Sequence, residues 1–208
     1  MKLGRFISLE GGEGVGKTTN LQYIQHILHE KHIPLIVTRE PGGTVLAEKI
    51  RTILLDRQDE PLCECAELLL IFAARAQHIQ QVIVPALRNG QWVLCDRFID
   101  ATYAYQGGGR NMDMHTIAWL EQTVLGTLKP DLTLLLDAPA NIGLKRAKQR
   151  GKLDRFEIEQ LDFFERVRKV YLQRAQQDTN RYQIIDACLP LPEVQIQIKH
   201  ILEQFLAP

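Results

Sequence analysis

Residues 11–18 read Gly11-Gly12-Glu13-Gly14-Val15-Gly16-Lys17-Thr18: a glycine, four free positions, a glycine, a lysine and a hydroxyl residue. That spacing suits a triphosphate. Backbone N–H groups must wrap its oxygens, and glycines at 11, 14 and 16 let the chain turn and approach closely. Lys17 brings a positive charge to the outer phosphates, and the Thr18 hydroxyl can enter a Mg²⁺ shell. The helix expected over Thr19–Glu30 presents its positive N-terminus, beginning at Thr19, to the same anion. A nucleoside triphosphate site is the expectation.

Other residues fall where such a site needs them. Arg39 and Glu40 close the short strand expected over 34–38, and Pro41-Gly42-Gly43 turns the chain behind them, either as ligands at a sheet edge or as a surface ion pair. Asp96-Arg97 close the expected strand 91–95. Asp96 can hold Mg²⁺ or its waters, but Asp137, closing 132–136, matches the same description and the pattern does not choose. Arg75 interrupts an apolar helical stretch, as an interface residue or as an anion ligand in a cleft. Thr102-Tyr103-Ala104-Tyr105-Gln106, followed by a flexible run of three glycines and Arg110, is either a surface loop with tyrosines packed beneath it or a base-recognition segment, since it mixes the amide, hydroxyl and aromatic groups that a buried nucleobase requires. Residues 145–155 carry six basic groups against one acidic. They form either a solvated face or, with Gly151 in the middle, a mobile basic lid over phosphates.

The elements that must position these residues follow from periodicity. Residues 6–9 read as a buried strand, and Leu21, Ile24, Ile27 and Leu28 mark the helical face after it. Thr44 is a candidate cap for a helix with apolar Val45, Leu46, Ile50, Ile53 and Leu54. A long pattern runs from 66 to 88 with a kink expected at Pro85. Strands are expected at 34–38, 91–95, 132–136 and 182–185, with helices at 157–175 and 191–205. The order predicts an α/β P-loop NTPase fold: a five-stranded parallel sheet with helices on both faces, as one domain over 1–208 with a lid near 145–156.

Composition narrows the class. Lys plus Arg and Asp plus Glu number 25 each in 208 residues, and 45% of the residues are hydrophobic. The balance gives no support for nucleic acid or a membrane surface as partner. Cys63, Cys65, Cys95 and Cys188 lack metal-site spacing and read as reduced thiols. Met1-Lys2-Leu3 leads straight into a strand and no apolar run is expected to approach spanning length, so the expected compartment is the cytoplasm.

Taken together in this order, the P-loop with Glu13, Thr38-Arg39-Glu40-Pro41-Gly42-Gly43, Arg75, Asp96-Arg97-Phe98, Tyr105-Gln106-Gly107-Gly108-Gly109-Arg110 and the basic segment around Arg150 resemble thymidylate kinases over nearly the whole chain. The resemblance implies a nucleoside monophosphate kinase that moves the γ-phosphoryl of ATP to dTMP with Mg²⁺, commonly as a homodimer. It implies ATP phosphates and Mg²⁺ on Lys17 and Thr18, and Glu13 near the dTMP sugar. Arg39, Glu40 and Arg97 would face its phosphate and the metal waters. Arg51, Arg75, Thr102 and Gln106 would line the monophosphate pocket, and Tyr105 would crowd the position of a ribose 2′-hydroxyl. Some members carry an arginine at the position of Gly14; without it, Arg150 is the first choice for that charge, with Arg155 and Arg146 in reserve. The aromatic that many relatives stack on thymine falls at Ile71 here, so either Phe72 takes that role or Ile71 gives a plain apolar wall.

Overall fold

The structure is a computed structural model, and it describes residues 4–56, 60–149, 155–156 and 159–207. Among these, β1 (Phe6–Gly11), β2 (Leu35–Arg39), β3 (Trp92–Asp96), β4 (Leu132–Asp137) and β5 (Tyr182–Asp186) form one sheet in the order β2-β3-β1-β4-β5. Every pairing is parallel. Such strands are buried on both faces, which is why they read as near-continuous apolar runs. Side chains still alternate by face: Phe6, Val93, Cys95 and Leu135 enter one core, and Ile7, Leu9, Leu94, Leu134 and Leu136 the other.

Helices cover both faces: α1 (Lys17–Glu30), α2 (Val45–Leu55), α3 (Glu64–His78), α4 (Val84–Arg88), α5 (Ile99–Thr102), α6 (Met114–Leu125), α7 (Ala140–Lys148), α8 (Leu161–Gln177) and α9 (Leu191–Leu206). The Thr44 hydroxyl caps α2 by accepting from the Ala47 N–H at 3.1 Å. The register sets Arg39 beside Asp96, Leu9 beside Asp96, and Gly11 beside Leu136, so the P-loop leaves the sheet between the carboxyl ends of β3 and β4. Successive crossovers diverge there, and an open α/β sheet binds ligands at that crevice.

Four expectations need correction. The long helix expected from 66 to 88 is not one regular α-helix: five π-helical residues, Ile79–Ile83, separate α3 from α4 and widen the turn where the Pro85 ring would meet a carbonyl. The glycine run is no flexible loop: Tyr103–Gly109 is a buried π-helix in which the Arg110 N–H reaches the Tyr105 carbonyl at 2.9 Å. The helix expected from 157 begins at Leu161. On α2 the burial falls on Ala47, Ile50 and Leu54, and Val45, Leu46 and Ile53 are exposed.

Residues Glu64–Arg88 are long and apolar enough to cross a membrane by length and composition, with a mean hydropathy of 1.2, contrary to the sequence reading. Their surroundings place them inside the protein. Leu68, Phe72, Ile79 and Ile83 are core residues, and buried Glu67, Arg75 and His78 bond to other elements of the domain.

Glycines 108 and 109 lie against α8, and Gly107 against Met114 and Ile117 of α6. A Cβ on Gly109 would stand 2.4 Å from the Phe163 ring, and one on Gly108 would stand 2.9 Å from the Arg166 carbonyl oxygen. Overpacking of this kind costs about 1–3 kcal/mol. Gly109→Ala is therefore expected to lower unfolding stability by that amount in a urea titration. An unchanged midpoint would mean that Phe163 yields freely.

Candidate active site

The carboxyl edge of the sheet opens into a cavity of about 500 Å³. One end is the P-loop, from Glu13 to Thr19. The cavity lining also includes apolar Leu54, Leu55, Ile71, Ala101 and Phe156, and arginines 39, 51, 75, 97 and 146.

The loop has the conformation that its glycines permit. Gly11, Gly14 and Gly16 have φ of 142°, 68° and 91°. Lys17 Nζ donates to the carbonyls of Gly11 at 3.1 Å and Gly12 at 2.6 Å, so the cation is stored on the loop itself. Gly12 lies behind the loop, away from the large cavity, while Val15 is buried beneath it. Thr18 and Thr19 are exposed at the cavity and open α1. Gly14 also meets α7: a Cβ there would come within 1.9 Å of the Gly143 carbonyl oxygen. The position some relatives give to arginine is thus closed by backbone.

Arg97 is the most constrained group. Its φ of 67° is left-handed, unusual for a residue with a side chain. One terminal nitrogen donates to the Gly11 carbonyl at 2.9 Å, and the other to Glu13 Oε1 at 2.6 Å. The Tyr105 hydroxyl donates to the same Glu13 oxygen at 2.6 Å, and the guanidinium lies 4.7 Å from the Tyr105 ring centre. Glu13, Arg97 and Tyr105 are therefore one unit.

Glu40 is among the residues that line the cavity, and its carboxylate is engaged by protein groups. It is buried, with Oε2 accepting from Arg75 Nε at 2.6 Å and Oε1 bonded to His78 Nδ1 at 2.9 Å. It orients Arg75, whose Nη2 donates to the Thr102 hydroxyl at 2.9 Å and whose Nη1 is buried without a hydrogen-bond partner among the described residues. A buried donor left unpaired is costly, and the cavity is where a ligand acceptor could meet it. Arg39 is exposed and paired with Glu48 at 2.8 Å, and Arg51 donates to the Pro41 carbonyl at 2.8 Å.

The two aspartates differ in their partners. Both Asp137 oxygens accept from Arg168 at 2.8 Å, whereas Asp96 lines the cavity with a buried Oδ1 that has no partner among the described residues. That atom fits Mg²⁺ or its water shell. Among the described residues no cluster of three or more acidic, His or Cys side chains could hold a metal unaided. Mg²⁺ commonly uses one or two carboxylates plus substrate phosphates, which suits Asp96 with the Thr18 hydroxyl.

Phe72 is a correction. It is 2% exposed, packs in the core and carries Arg75 over its ring at 5.0 Å, while Ile71 lines the cavity. Positions 71 and 75 share a helix face and 72 points about 100° away. The cavity lining also holds aromatic Phe98, Tyr105 and Phe156, and Phe156, edge-on to Tyr105 at 6.0 Å, is one that sequence reasoning missed. Its place beside a basic run gave no sign that it folds back. Gln106 lines the cavity, with its amide nitrogen 2.8 Å from Glu67. In the basic segment, Arg146 lines the cavity and donates to the Ala187 carbonyl, and Arg155 donates to the Leu54 carbonyl and to Glu67. Arg150 lies outside the described residues.

Comparison with known proteins assigns this arrangement. The sequence model for "Thymidylate kinase" matches residues 9–198. The thymidylate kinase of Teredinibacter turnerae is 55% identical over 203 residues, covering 98% of this chain and 99% of its own. That of Ectopseudomonas mendocina is 57% identical over 203 residues, at 98% and 97%. The chain belongs to the thymidylate kinase family. A solved structure of the thymidylate kinase from Ehrlichia chaffeensis superposes with a TM-score of 0.79 at 31% identity, covering 96% of this chain and 98% of that one. Membership in the family makes the protein a nucleoside monophosphate kinase, a phosphotransferase of the P-loop α/β class.

Burial, with Arg97 next in weight, pushes the Lys17 ammonium down to about 8. The protonated form that attracts phosphate is present below that pH and lost above it. Affinity for a nucleoside triphosphate should therefore fall as pH rises through 8, by up to about tenfold per unit. Glu10, pushed up to about 8 by burial and then by Asp100, ionises over the same range and acts in the same direction. A fluorescent triphosphate titrated from pH 7 to 10 should show the steep fall in the wild type and a shallower one from a weak baseline in Lys17→Met. A flat wild-type curve contradicts this assignment.

Proposed function

We propose that this protein transfers the γ-phosphoryl of ATP to dTMP, giving dTDP. The observation that carries the reading is one cavity with a triphosphate loop at one end and, at the other, the buried unpaired Nη1 of Arg75 beside Gln106 and Thr102. Such an end suits a nucleobase with a carbonyl edge. Ile71 and Phe156 offer apolar walls to its faces.

In this reading Lys17 and the loop N–H groups hold the ATP phosphates. Mg²⁺, held by Thr18, Asp96 and the phosphates, would neutralise charge on the transferring group. Arg97, fixed by Glu13 and Tyr105, and Arg39 hold the dTMP phosphate, with Arg51 supporting them. Tyr105, pinned against Glu13, fills the space beside the sugar and favours a deoxyribose. No strong base is required, because a phosphate monoester is already largely dianionic near neutral pH.

The segment near 145–156 acts as a lid of the single domain, with Arg150 the arginine that meets the transferring phosphoryl. The support is its basic composition and the contact of α7 with the P-loop through Gly14 and Gly143. Arginines in such roles are worth about 10³ to 10⁵ in rate. Arg150→Ala should lose at least hundredfold in kcat, more than Arg146→Ala, and a loss below tenfold discards the assignment. The substrate reading is tested by ATP consumption over a panel of nucleoside monophosphates. An acceptor other than a thymidine nucleotide winning, or hydrolysis indifferent to every acceptor, overturns it.

We further propose a cytoplasmic homodimer. Cys63, Cys65, Cys95 and Cys188 are all free thiols, as a reducing compartment allows. Val45, Leu46 and Ile53 of α2, Leu69 of α3 and Trp119 of α6 are exposed, and α3 packs against both other helices. Light scattering should give twice the chain mass, and Leu46→Glu should shift it toward the monomer. An unmoved monomer mass in the wild type ends that proposal.

A further inference from the structure

Glu67 sits on α3, 1% exposed, outside the lining of the cavity and directly behind Gln106. Three donors converge on it. Gln106 Nε2 reaches Oε1 at 2.8 Å, Arg110 Nε approaches the same oxygen at 3.5 Å, and a terminal nitrogen of Arg155 donates to Oε2. A carboxylate offers acceptors only. The side-chain amide of Gln106 must therefore turn its NH₂ toward Glu67, which leaves its carbonyl oxygen on the opposite side, toward the cavity that Gln106 lines.

We propose that Glu67 is a positioning residue for base selection: it fixes the Gln106 amide so that the cavity meets an acceptor there, and it does so while anchoring Arg155 at the end of the basic segment. This rests on the reading of the cavity as a dTMP pocket. Arg75 lines the same cavity, and its Nη1, buried without a hydrogen-bond partner among the described residues, supplies a donor. Together they complement a base edge with a ring N–H next to a carbonyl, as in thymine or uracil. Cytosine presents a ring nitrogen lone pair next to an amino group and opposes both. A reversed Gln106 amide would turn one mismatch into a match, so selectivity depends on a residue that never touches the base. Arg155 extends the same carboxylate's reach, because its Nε also donates to the Leu54 carbonyl, and Leu54 lines the base end of the cavity. Buried hydrogen-bond rejection of this kind discriminates more strongly than apolar fit alone.

The test uses the full-length enzyme, first shown to turn over dTMP; a wild type inert toward dTMP refutes the substrate reading and leaves this inference aside as wrong with it. In an active enzyme, Glu67→Gln replaces the acceptor with a group that accepts or donates, and frees the amide to flip. Calorimetric Kd values for dTMP and dCMP should then show the preference for dTMP falling at least tenfold. The KM for dTMP should rise while the KM for ATP moves less than twofold. Glu67→Asp keeps an acceptor-only group and should retain most of the preference. An unchanged preference in the Gln variant, or KM values for both substrates rising together, overturns the inference. If the Gln variant does not fold, the wild type decides: dTMP methylated at the base N3 has no N–H to give Gln106 and should bind at least a hundredfold more weakly than dTMP. Equal binding overturns the proposed orientation.

Discussion

Placing arginines inside a folded domain is the constraint on which this structure turns. A guanidinium withdrawn from water costs several kcal/mol unless a carboxylate and further acceptors surround it. Among the described residues, Arg75 has such a partner in Glu40, Arg97 in Glu13, Arg155 in Glu67, and Arg174 and Arg181 in the buried Asp100, while Arg51, Arg146 and Arg166 are held by backbone carbonyls. The partners come from different elements, so each pair also fastens two parts of the fold. Glu40 follows β2 and Arg75 is on α3; Asp100 is on α5, and its two arginines come from α8 and from the turn before β5. The arginines are held before any ligand arrives. That removes the reorganisation that a phosphate site in water would require.

This pairing explains why some site residues were legible in the sequence and others took a different role. A glycine pattern at fixed spacing determines its own local geometry, and the loop turns as the pattern implies, with Lys17 and Thr18 at the cavity. The strands were legible because parallel strands must be apolar on both faces. Glu40 was not, because a carboxylate beside an arginine at a strand end looks the same whether it faces solvent, metal or a buried cation thirty-five positions later. Asp96 and Asp137 were equivalent in sequence for a related reason. Arg168, on a helix far along the chain, occupies one of them and leaves the other open.

Helical rotation separates Ile71 from Phe72, and here spacing held more information than residue type. The four-residue interval to Arg75 selects Ile71 for the cavity, whereas preference for an aromatic selects Phe72. The glycine run misled for the opposite reason. Three consecutive glycines suggest a loose loop, because each lacks a side chain to pack. In the structure the missing side chains are the point: Met114 of α6 and Phe163, Arg166 and Val170 of α8 occupy the space that Cβ atoms would need. The entropy lost in ordering glycine is offset by apolar burial along that seam.

The same close approach of backbones governs where positive charge can enter the site. Gly14 and Gly143 bring α7 against the P-loop so tightly that neither position admits a side chain. A cation cannot be supplied from within the loop at position 14, where φ of 68° also disfavours anything but glycine. It must be supplied by an element that reaches the phosphates from outside. α7 is so placed: its last turn carries Lys145, Arg146 and Lys148, and Arg146 already lines the cavity. Packing a helix directly on the loop thus excludes one arginine and brings others within reach, which makes the basic composition of the segment after β4 a consequence of backbone geometry and not an independent feature.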